Sequence, residues 1–214
     1  MTELVNTLAE FAHNASISHD IERDVTERIL DTIGNSLAGK AESLKLGEKE
    51  PDAAVQRVVQ SWGGPQTSTV IGANGAKLPA TSAALLNGTL AHFLDFDDTH
   101  LPSVLHPSAS IVPAALAVAE ETTASTARLK HAIAIGIEIC NRLGMASYIP
   151  EIRNSLFFEK GFHATSICGT IGAAASAGVL YGLSPAQIAD AMGIAVSMGA
   201  GVIEANRTGG TVKR

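Results

Sequence analysis

The sequence predicts an all-α protein made of several packed helices. Apolar residues recur at three- and four-residue spacing through most of the 214 residues, which is the period of an amphipathic helix. Glycine (20 residues) and alanine are abundant while aromatic residues make up only 4%, which favours helices packed closely through small side chains. Only residues 68–72, STVIG, have the character of a strand. We therefore expect seven to nine helices, no sheet, and one domain over residues 1–214.

Composition and charge narrow the classes of function. The net charge is −6, with 15 lysine and arginine residues and no basic run, so nucleic acid is a poor candidate for a partner. The first residues, MTELVNTLAEFAHNAS, contain acidic side chains and no apolar core, unlike a signal peptide. The uncharged window 164–189 is rich in small residues and is interrupted by a proline, which predicts a buried helix and no membrane span. We expect a cytoplasmic protein.

The first half of the chain predicts four helices. The apolar positions of the first helix are Leu4, Leu8 and Phe11. Those of the second repeat about every four residues and are Ile21, Val25, Ile29, Leu30, Ile33 and Leu37. Gly39 is predicted to end the second helix. A third helix begins at Pro51, a residue suited to a first helical turn, and ends before GGP, and a fourth begins after Pro79.

Four further helices are predicted in the second half. They cover SASIVPAALAVAEE, TARLKHAIAIGIEICNRLG, the small-residue stretch GFHATSICGTIGAAASAGVLYGL and SPAQIADAMGIAVSMGAGVIEA. The last begins with Ser184 as N-cap and Pro185 as first helical residue, a strong start signal. Cys140 and Cys168 each lie in an apolar helical stretch, which indicates buried reduced thiols more than a disulfide or a catalytic thiol.

The segment HFLDFDDTHLPSVLHPSAS, residues 92–110, concentrates three carboxylates and three histidines. If the fourth helix runs to about residue 98, Asp95 and Asp98 lie one turn apart on one face, with His92 one turn earlier. Neighbouring carboxylates separate each other's pKa values, which suits general acid–base catalysis. The alternative is a solvated polar helix end, although the helix dipole makes acidic residues unfavourable there.

Metal binding is a second interpretation of this segment. Aspartates three residues apart resemble the magnesium–diphosphate sites of all-α isoprenoid synthases, but such sites need a second acidic helix, and the EE at 120–121 is an ordinary helix end. A zinc site could be assembled from histidines and one aspartate whose spacing fits no standard pattern: His92, Asp95, His100 and His106. We therefore predict no metal.

Two histidines and the cationic end of the sequence are further candidates. His106 precedes a proline and a helix start, so it can project into a cleft, or it is a cap or surface residue. His163 lies where the small-residue helix begins, where anions are favoured, or it is a hydrogen-bonded core histidine. Lys213 and Arg214 follow the stretch TGGT. A glycine loop with a lysine can bind an anion, but the spacing here is not that of a Walker motif. The alternative is a solvated tail.

Six stretches of the sequence, taken in order, resemble the MmgE/PrpD family. They are ILDTIGNSLAG (29–39), AALLNGTLAHFLDFDDTH (83–100), HPSASIVPAALAVAE (106–120), AIAIGIEICNRLG (132–144), GFHATSICGTIGAAASAG (161–178) and GTVKR (210–214). The pattern N-G-x-x-x-H-x-x-D-x-D-D-T within the second stretch is specific, and the other stretches are weaker signals when taken alone.

The resemblance implies an all-α domain that carries most of an active site, and a cofactor-free reaction on small di- or tricarboxylates. The positions that match implicated family residues are Asp95, Thr99, His106, His163 and Lys213. The family's smaller α/β lid domain, which closes the cleft, has no counterpart in this sequence. The link from Thr99 to His106 is also about one residue longer than in the decarboxylase branch of the family.

The shared chemistry of the family is a carbanion made or quenched next to a carboxylate. We expect His106, His163 and Lys213 to bind substrate carboxylates and transfer protons, with Asp95 as base or orienting group. Thr99, His100 and Lys213 are expected to contact the substrate.

Several reactions and assemblies fit this chemistry. The first expectation is a dehydratase of a 2-methylcitrate-like hydroxy acid, working as a homodimer. The alternatives are cis-aconitate decarboxylation, epimerisation, or a non-catalytic fragment or subunit of a split enzyme whose partner supplies a lid.

Overall fold

The computed structural model describes residues 2–46 and 51–204 and confirms the predicted all-α architecture. Within those ranges the chain forms nine α-helices: α1 (Thr2–Asn14), α2 (His19–Lys45), α3 (Pro51–Ser61), α4 (Ala80–His92), α5 (Pro107–Thr122), α6 (Thr126–Met145), α7 (Leu156–Glu159), α8 (Ala164–Tyr181) and α9 (Pro185–Met198). A 3-10 helix covers Leu101–Ser103. The strands are β1 (Ser68–Thr69), β2 (Lys77–Leu78), β3 (Tyr148–Ile149) and β4 (Asn154–Ser155).

The four short strands form two antiparallel hairpins. In the first, β1 lies in the predicted extended segment 68–72, whereas its partner β2 lies outside that segment, and Ser68 lies opposite Leu78. The second, β3 with β4, is not predicted by the sequence, because strands of two residues are too short to show alternation. Neither hairpin extends into a larger sheet in the described residues.

Helix α8 lies at the centre of the fold and packs against α5, α6 and α9. Its contact with α6 brings two backbones together, because a Cβ atom placed on Gly172 would lie 2.5 Å from the carbonyl oxygen of Gly136. The contact with α5 is equally close, since a Cβ atom on Gly169 would lie 2.5 Å from Ser110 Oγ. The expectation of packing through small side chains is confirmed.

Both cysteines lie in this central region. Cys140 in α6 and Cys168 in α8 are buried and free. Burial raises the pKa of the Cys168 thiol to about 12, and burial also raises the pKa of the Cys140 thiol. Both thiols therefore stay protonated at neutral pH, which agrees with the interpretation as inert core residues.

Helix α8 is also the one helix, among the residues described, that is long and apolar enough to cross a membrane. This judgement rests on length and composition alone, and half of the segment is buried inside the fold. A core helix of a soluble protein has the same properties, so this single helix is weak support for a membrane span.

Helix α2 continues six residues past its predicted end at Gly39 and stops at Lys45. Gly39 is buried, and a Cβ atom there would lie 2.4 Å from the carbonyl oxygen of Leu90 in α4. The prediction of a helix stop at Gly39 is therefore wrong, because this glycine allows a close approach of two helices.

The buried faces of α1 and α2 also differ from the predicted ones. In α1, Leu4 and Phe11 are exposed while Ala9 and Ala12 are buried. In α2 the exposed apolar residues are Ile21, Leu30, Leu37 and Leu44, and the buried ones are Val25, Thr32, Ser36, Gly39 and Ser43. Small residues pack inward on both helices, which permits close helix contacts and leaves larger apolar side chains outside.

The predicted start of the last helix is confirmed in detail. The Ser184 side chain accepts a hydrogen bond from the Gln187 backbone N–H, and the Gln187 side chain accepts one from the Ser184 N–H at 2.9 Å. This reciprocal capping box satisfies two of the N–H groups that have no partner inside the helix.

We predict that Gly172→Ala destabilises the protein by roughly 1–3 kcal/mol, because the new methyl group meets the α6 backbone. The control is Gly34→Ala in α2, where a Cβ atom meets no described atom within 4 Å. That control should stabilise the protein by about 0.5–1 kcal/mol, since alanine favours a helix interior over glycine. Urea unfolding followed by circular dichroism measures the free energy of unfolding of both variants. Equal changes in Gly172→Ala and Gly34→Ala would contradict the packing described here.

Candidate active site

The acidic segment after α4 is a loop and not a helix. Helix α4 ends at His92, and Asp95 adopts a left-handed backbone with φ of 59°. The expectation that the helix runs to about residue 98 is therefore wrong, and Asp95 and Asp98 do not share a helix face. Two physical reasons apply: aspartate tolerates the left-handed region, and the negative end of the helix dipole disfavours carboxylates.

Asp98 ties this loop to two helices. Its carboxylate pairs with Arg28 of α2 and accepts hydrogen bonds from the Ser108 N–H at 3.0 Å and the Ser108 hydroxyl at 2.8 Å. Ser108 lies in the first turn of α5, so the carboxylate of Asp98 caps that helix at its positive end. The side chain is only 18% exposed, which limits screening by solvent.

The chain then turns tightly before α5. The His100 N–H donates to the Leu105 carbonyl at 2.9 Å, and the 3-10 helix Leu101–Ser103 lies inside this turn. Val104 closes the turn with a left-handed φ of 55°. This geometry places His106 at the N-cap position of α5.

His106 and His163 occupy equivalent positions on neighbouring helices. His163 is the N-cap residue of α8, as His106 is of α5. The His106 N–H donates to Thr165 Oγ1 at 3.1 Å, which joins the two helix starts directly. Two helix N-termini therefore meet at one place, and each presents an imidazole there.

Asp97 lies at the centre of the histidine cluster and is only 4% exposed. Its Oδ2 atom lies 2.7 Å from His92 Nδ1 and 3.7 Å from His106 Nδ1. The ring centroids of His92 and His106 are 5.2 Å apart, and those of His92 and His163 are 5.8 Å apart. His106 Nε2 lies 3.4 Å from Asp95 Oδ1. Three predicted site residues, Asp95, His106 and His163, are thus in one cluster.

Two clefts border this cluster. Thr99, His106 and His163 line one of about 290 Å³ together with Arg153. Thr99 Oγ1 lies 3.4 Å from His106 Nδ1. His163 also lines the second cleft, of about 280 Å³, where His92 lies. His163 therefore stands between the two clefts.

His100 and Lys213 are not part of the cluster that the described residues show. His100 Nδ1 lies 2.7 Å from Ser103 Oγ, and the residue lines a separate cavity of about 440 Å³ with Arg28 and Asn141. Burial, then the nearby Arg28 charge, lower the pKa of His100. Lys213 lies outside the described residues. The proposed substrate contacts of both residues stay predictions.

The structure adds three residues that the sequence did not single out as site residues. Asp97 was part of the acidic motif without an assigned role, His92 was given a role only as a member of a possible zinc set, and Arg153 was not noticed. Arg153 lies in the turn between β3 and β4, far in sequence from Thr99, and only the tertiary fold brings it to the cleft. No local pattern in the sequence would have indicated it.

Burial alone would raise the pKa of Asp97. The hydrogen bond from His92 and the positive charges of His92 and His106 outweigh that effect, so the pKa of Asp97 lies below its usual value. Asp97 is therefore a buried anion at neutral pH.

The same three side chains have the chemistry of a metal site. Ligand atoms of His92, Asp97 and His106 all lie within 4.8 Å of one another, and two imidazoles with one carboxylate suit a transition metal. The zinc set considered from the sequence contained Asp95 and His100 in place of Asp97. Since the Nδ1 atoms of both histidines face Asp97, hydrogen bonds alone account for this arrangement.

Comparison with known proteins gives consistent matches. Residues 6–214 match the profile of the MmgE/PrpD N-terminal domain. Cis-aconitate decarboxylase from Homo sapiens is 32% identical over 204 residues, which cover 92% of this chain and 40% of that protein. The enzyme of that name from Aspergillus terreus is 32% identical over 217 residues, covering 96% of this chain and 41% of its own length. The chain thus spans about 40% of the length of these curated relatives.

We predict that Asp98→Ala lowers the free energy of unfolding by about 2 kcal/mol, because it removes a helix cap and an ion pair together. The control is Asp24→Ala, which removes the other partner of Arg28. Asp24 is 57% exposed, so this change should cost at most about 0.5 kcal/mol. Urea unfolding measures both, and similar losses for the two variants would contradict the role given to Asp98.

Proposed function

Because the chain belongs to the MmgE/PrpD family, we propose that it carries most of the active site of a cofactor-free lyase acting on a small di- or tricarboxylate. The observation that carries the proposal is the cleft lined by Thr99, His106, His163 and Arg153, beside Asp95. Acid–base groups and a cation converge there next to two helix N-termini. We place this enzyme in the cytoplasm.

Each group around the cleft has a role in carbanion chemistry. Arg153 and the N-terminus of α8 attract substrate carboxylates, because both present positive charge and N–H donors. The first N–H groups of α5 are already bonded, to Thr165 and to Asp98. His106 and His163 transfer protons, and Asp95, 3.4 Å from His106 Nε2, orients His106 or acts as base. We propose Lys213 as a further cation for the substrate.

Decarboxylation of cis-aconitate is the first reaction to test. The bond from carbon to one carboxylate breaks, CO₂ leaves, and the electron pair stays on carbon as a carbanion that a neighbouring carboxylate stabilises. A protonated histidine then gives its proton to carbon. The names of the matched relatives support this version of the chemistry.

Dehydration of a 2-methylcitrate-like hydroxy acid is the second candidate. A base removes the proton next to a carboxylate, and the hydroxyl leaves as water after it accepts a proton. The longer link from Thr99 to His106 favours a substrate shape different from that of the decarboxylases. Epimerisation would need the same base and a return of the proton to the same carbon.

The active assembly is proposed to be a homodimer or a complex with a chain that supplies a lid. Both clefts are open to solvent in this domain, and exclusion of water strengthens electrostatic stabilisation of a carbanion. The alternative without catalysis is a domain that binds a carboxylate and does not turn it over. Calorimetric titration with citrate distinguishes binding from turnover.

We predict that the purified protein converts cis-aconitate to CO₂ and a five-carbon unsaturated diacid, with the activity retained in chelator. Nuclear magnetic resonance identifies the products, with citrate and 2-methylcitrate as parallel substrates. His106→Gln should reduce kcat by roughly 10²-fold or more, since a positioned acid–base group is lost. The exposed His19→Gln is the control and should change nothing.

The outcomes separate the candidates. Turnover of 2-methylcitrate alone selects the dehydratase. Loss of activity in chelator contradicts the cofactor-free mechanism. No turnover of any substrate, with or without a lid-bearing chain, contradicts the lyase.

We predict that Arg153→Gln raises KM roughly tenfold or more and changes kcat less, because it removes a charge-assisted contact to a substrate carboxylate. Arg23→Gln is the matched control, since Arg23 is 66% exposed on α2 and pairs only with nearby Asp20 in the described chain. Steady-state kinetics measures both. An unchanged KM in Arg153→Gln would remove this residue from the substrate site.

A further inference from the structure

His92 and Asp97 form a second acid–base pair behind the predicted catalytic residues. The Asp97 side chain is 1% exposed and the His92 side chain 15%. Their 2.7 Å contact joins the last residue of α4 to the loop that follows it. Neither residue has a role in the mechanism given above.

We propose that Asp97 is a positioning residue that holds both His92 and His106 with the proton on Nδ1, and that His92 accepts a proton from the substrate through Nε2. The catalytic part of this proposal rests on the proposed lyase function. The structural part, which concerns the tautomers, stands on the contacts alone.

The contact of His92 fixes its tautomer. Asp97 is ionised, so Oδ2 can only accept a hydrogen bond, and Nδ1 of His92 must be the donor. In the neutral ring Nε2 then carries the lone pair. The carboxylate also stabilises the imidazolium that forms when Nε2 takes up a proton.

The Nε2 atom of His92 is buried and has no hydrogen-bond partner among the described residues. Buried polar atoms in folded proteins are nearly always hydrogen-bonded, and an exception calls for a functional explanation. His92 lines the cleft of about 280 Å³, together with His163 and Ser166. Nε2 itself is closed off from solvent in this structure, so the proton transfer proposed here requires the His92 ring to move toward the cleft when substrate binds.

The closest oxygen contact of His106 also places a hydrogen on Nδ1. Its Nδ1 lies 3.2 Å from the backbone carbonyl oxygen of Asp97 and 3.7 Å from the Asp97 carboxylate, and both oxygens only accept. Nε2 faces Asp95 Oδ1 at 3.4 Å, a longer contact than that with the carbonyl oxygen, so it can carry a second hydrogen when the ring is protonated. One residue thus orients two imidazoles, through its side chain for His92 and mainly through its backbone for His106.

His163, one of the predicted site residues, lies next to the His92–Asp97 pair. Its ring stacks on that of His92 with an interplanar angle of 25°, and His163 lines both clefts. Dehydration and epimerisation begin with proton abstraction: the C–H bond of the substrate breaks, the proton goes to His92 Nε2, and the electron pair stays on carbon.

The tautomers can be measured without any substrate. Long-range ¹H–¹⁵N correlation spectra of the ¹⁵N-labelled protein should show His92 and His106 protonated on Nδ1. Asp97→Asn presents an amide that can donate to Nδ1, so His92 should change to the form protonated on Nε2. The control Asp20→Asn, at a side chain 82% exposed, should leave both signals in place.

Two results would overturn the structural part. One is an Nε2–H tautomer for His92 in the unaltered protein, which decides the matter even if Asp97→Asn does not fold. The other is an unchanged His92 signal in folded Asp97→Asn.

Kinetics tests the catalytic part with 2-methylcitrate, because dehydration begins with the loss of a proton from carbon whereas decarboxylation of cis-aconitate does not. Turnover of cis-aconitate alone would overturn the role of His92 as a base. His92→Gln and Asp97→Asn should each lower kcat by roughly 10²-fold with KM changed only a few-fold, since the substrate carboxylates keep their partners. The double variant should be no slower than the slower single one, because the pair acts as a unit. An unaffected kcat in folded His92→Gln overturns the role of His92. Inactivity of the unaltered protein contradicts the lyase instead, and leaves the tautomer result standing.

Discussion

The arrangement of the candidate active site depends on the capping of α5 by Asp98. This carboxylate bonds twice to Ser108 and pairs with Arg28, so one side chain holds the acidic loop between α2 and α5. An exposed ion pair contributes little to stability, but a mostly buried carboxylate at a helix N-terminus contributes through cap, dipole and charge together. Asp97 precedes Asp98 and His106 starts α5, so both functional positions are set by this contact. The loop can therefore be irregular and still hold imidazoles in place.

Small residues bring the two helix starts together. Gly169 of α8 approaches Ser110 of α5, and Gly172 approaches Gly136 of α6, each so closely that a methyl group would collide. The crossing near Gly169 lies less than two turns from His163, so it fixes the distance between the N-terminus of α8 and that of α5. A larger side chain there would move one imidazole away from the other. The glycine and alanine content that predicts the fold class is thus also a requirement of the site.

Helical periodicity and capping signals predicted the number and order of the long helices, because these depend on local sequence. Where helices end, and which face is buried, depended on tertiary contacts, as the close approach at Gly39 shows. The acidic motif indicated the segment in which carboxylates and histidines do cluster, while the assumption of a continuous helix gave the wrong geometry for Asp95 and Asp98. His106 was found because a proline and a helix start follow it. Arg153 was missed because nothing local marks a residue that reaches the cleft from a distant hairpin.

The charge arrangement is compatible with the proposed acidic substrate, although the protein has a net charge of −6. Asp98 is neutralised by Arg28, and Asp97 is surrounded by imidazoles, so neither carboxylate presents a bare negative charge to the clefts. The Asp97 carboxylate bonds the Nδ1 side of His92, and the Asp97 backbone carbonyl does the same for His106. Both rings are therefore held between an internal acceptor and the clefts. Without the Asp97 carboxylate His92 would lose the partner that fixes its orientation, while Arg153 and the N-terminus of α8 would still be available to a substrate carboxylate.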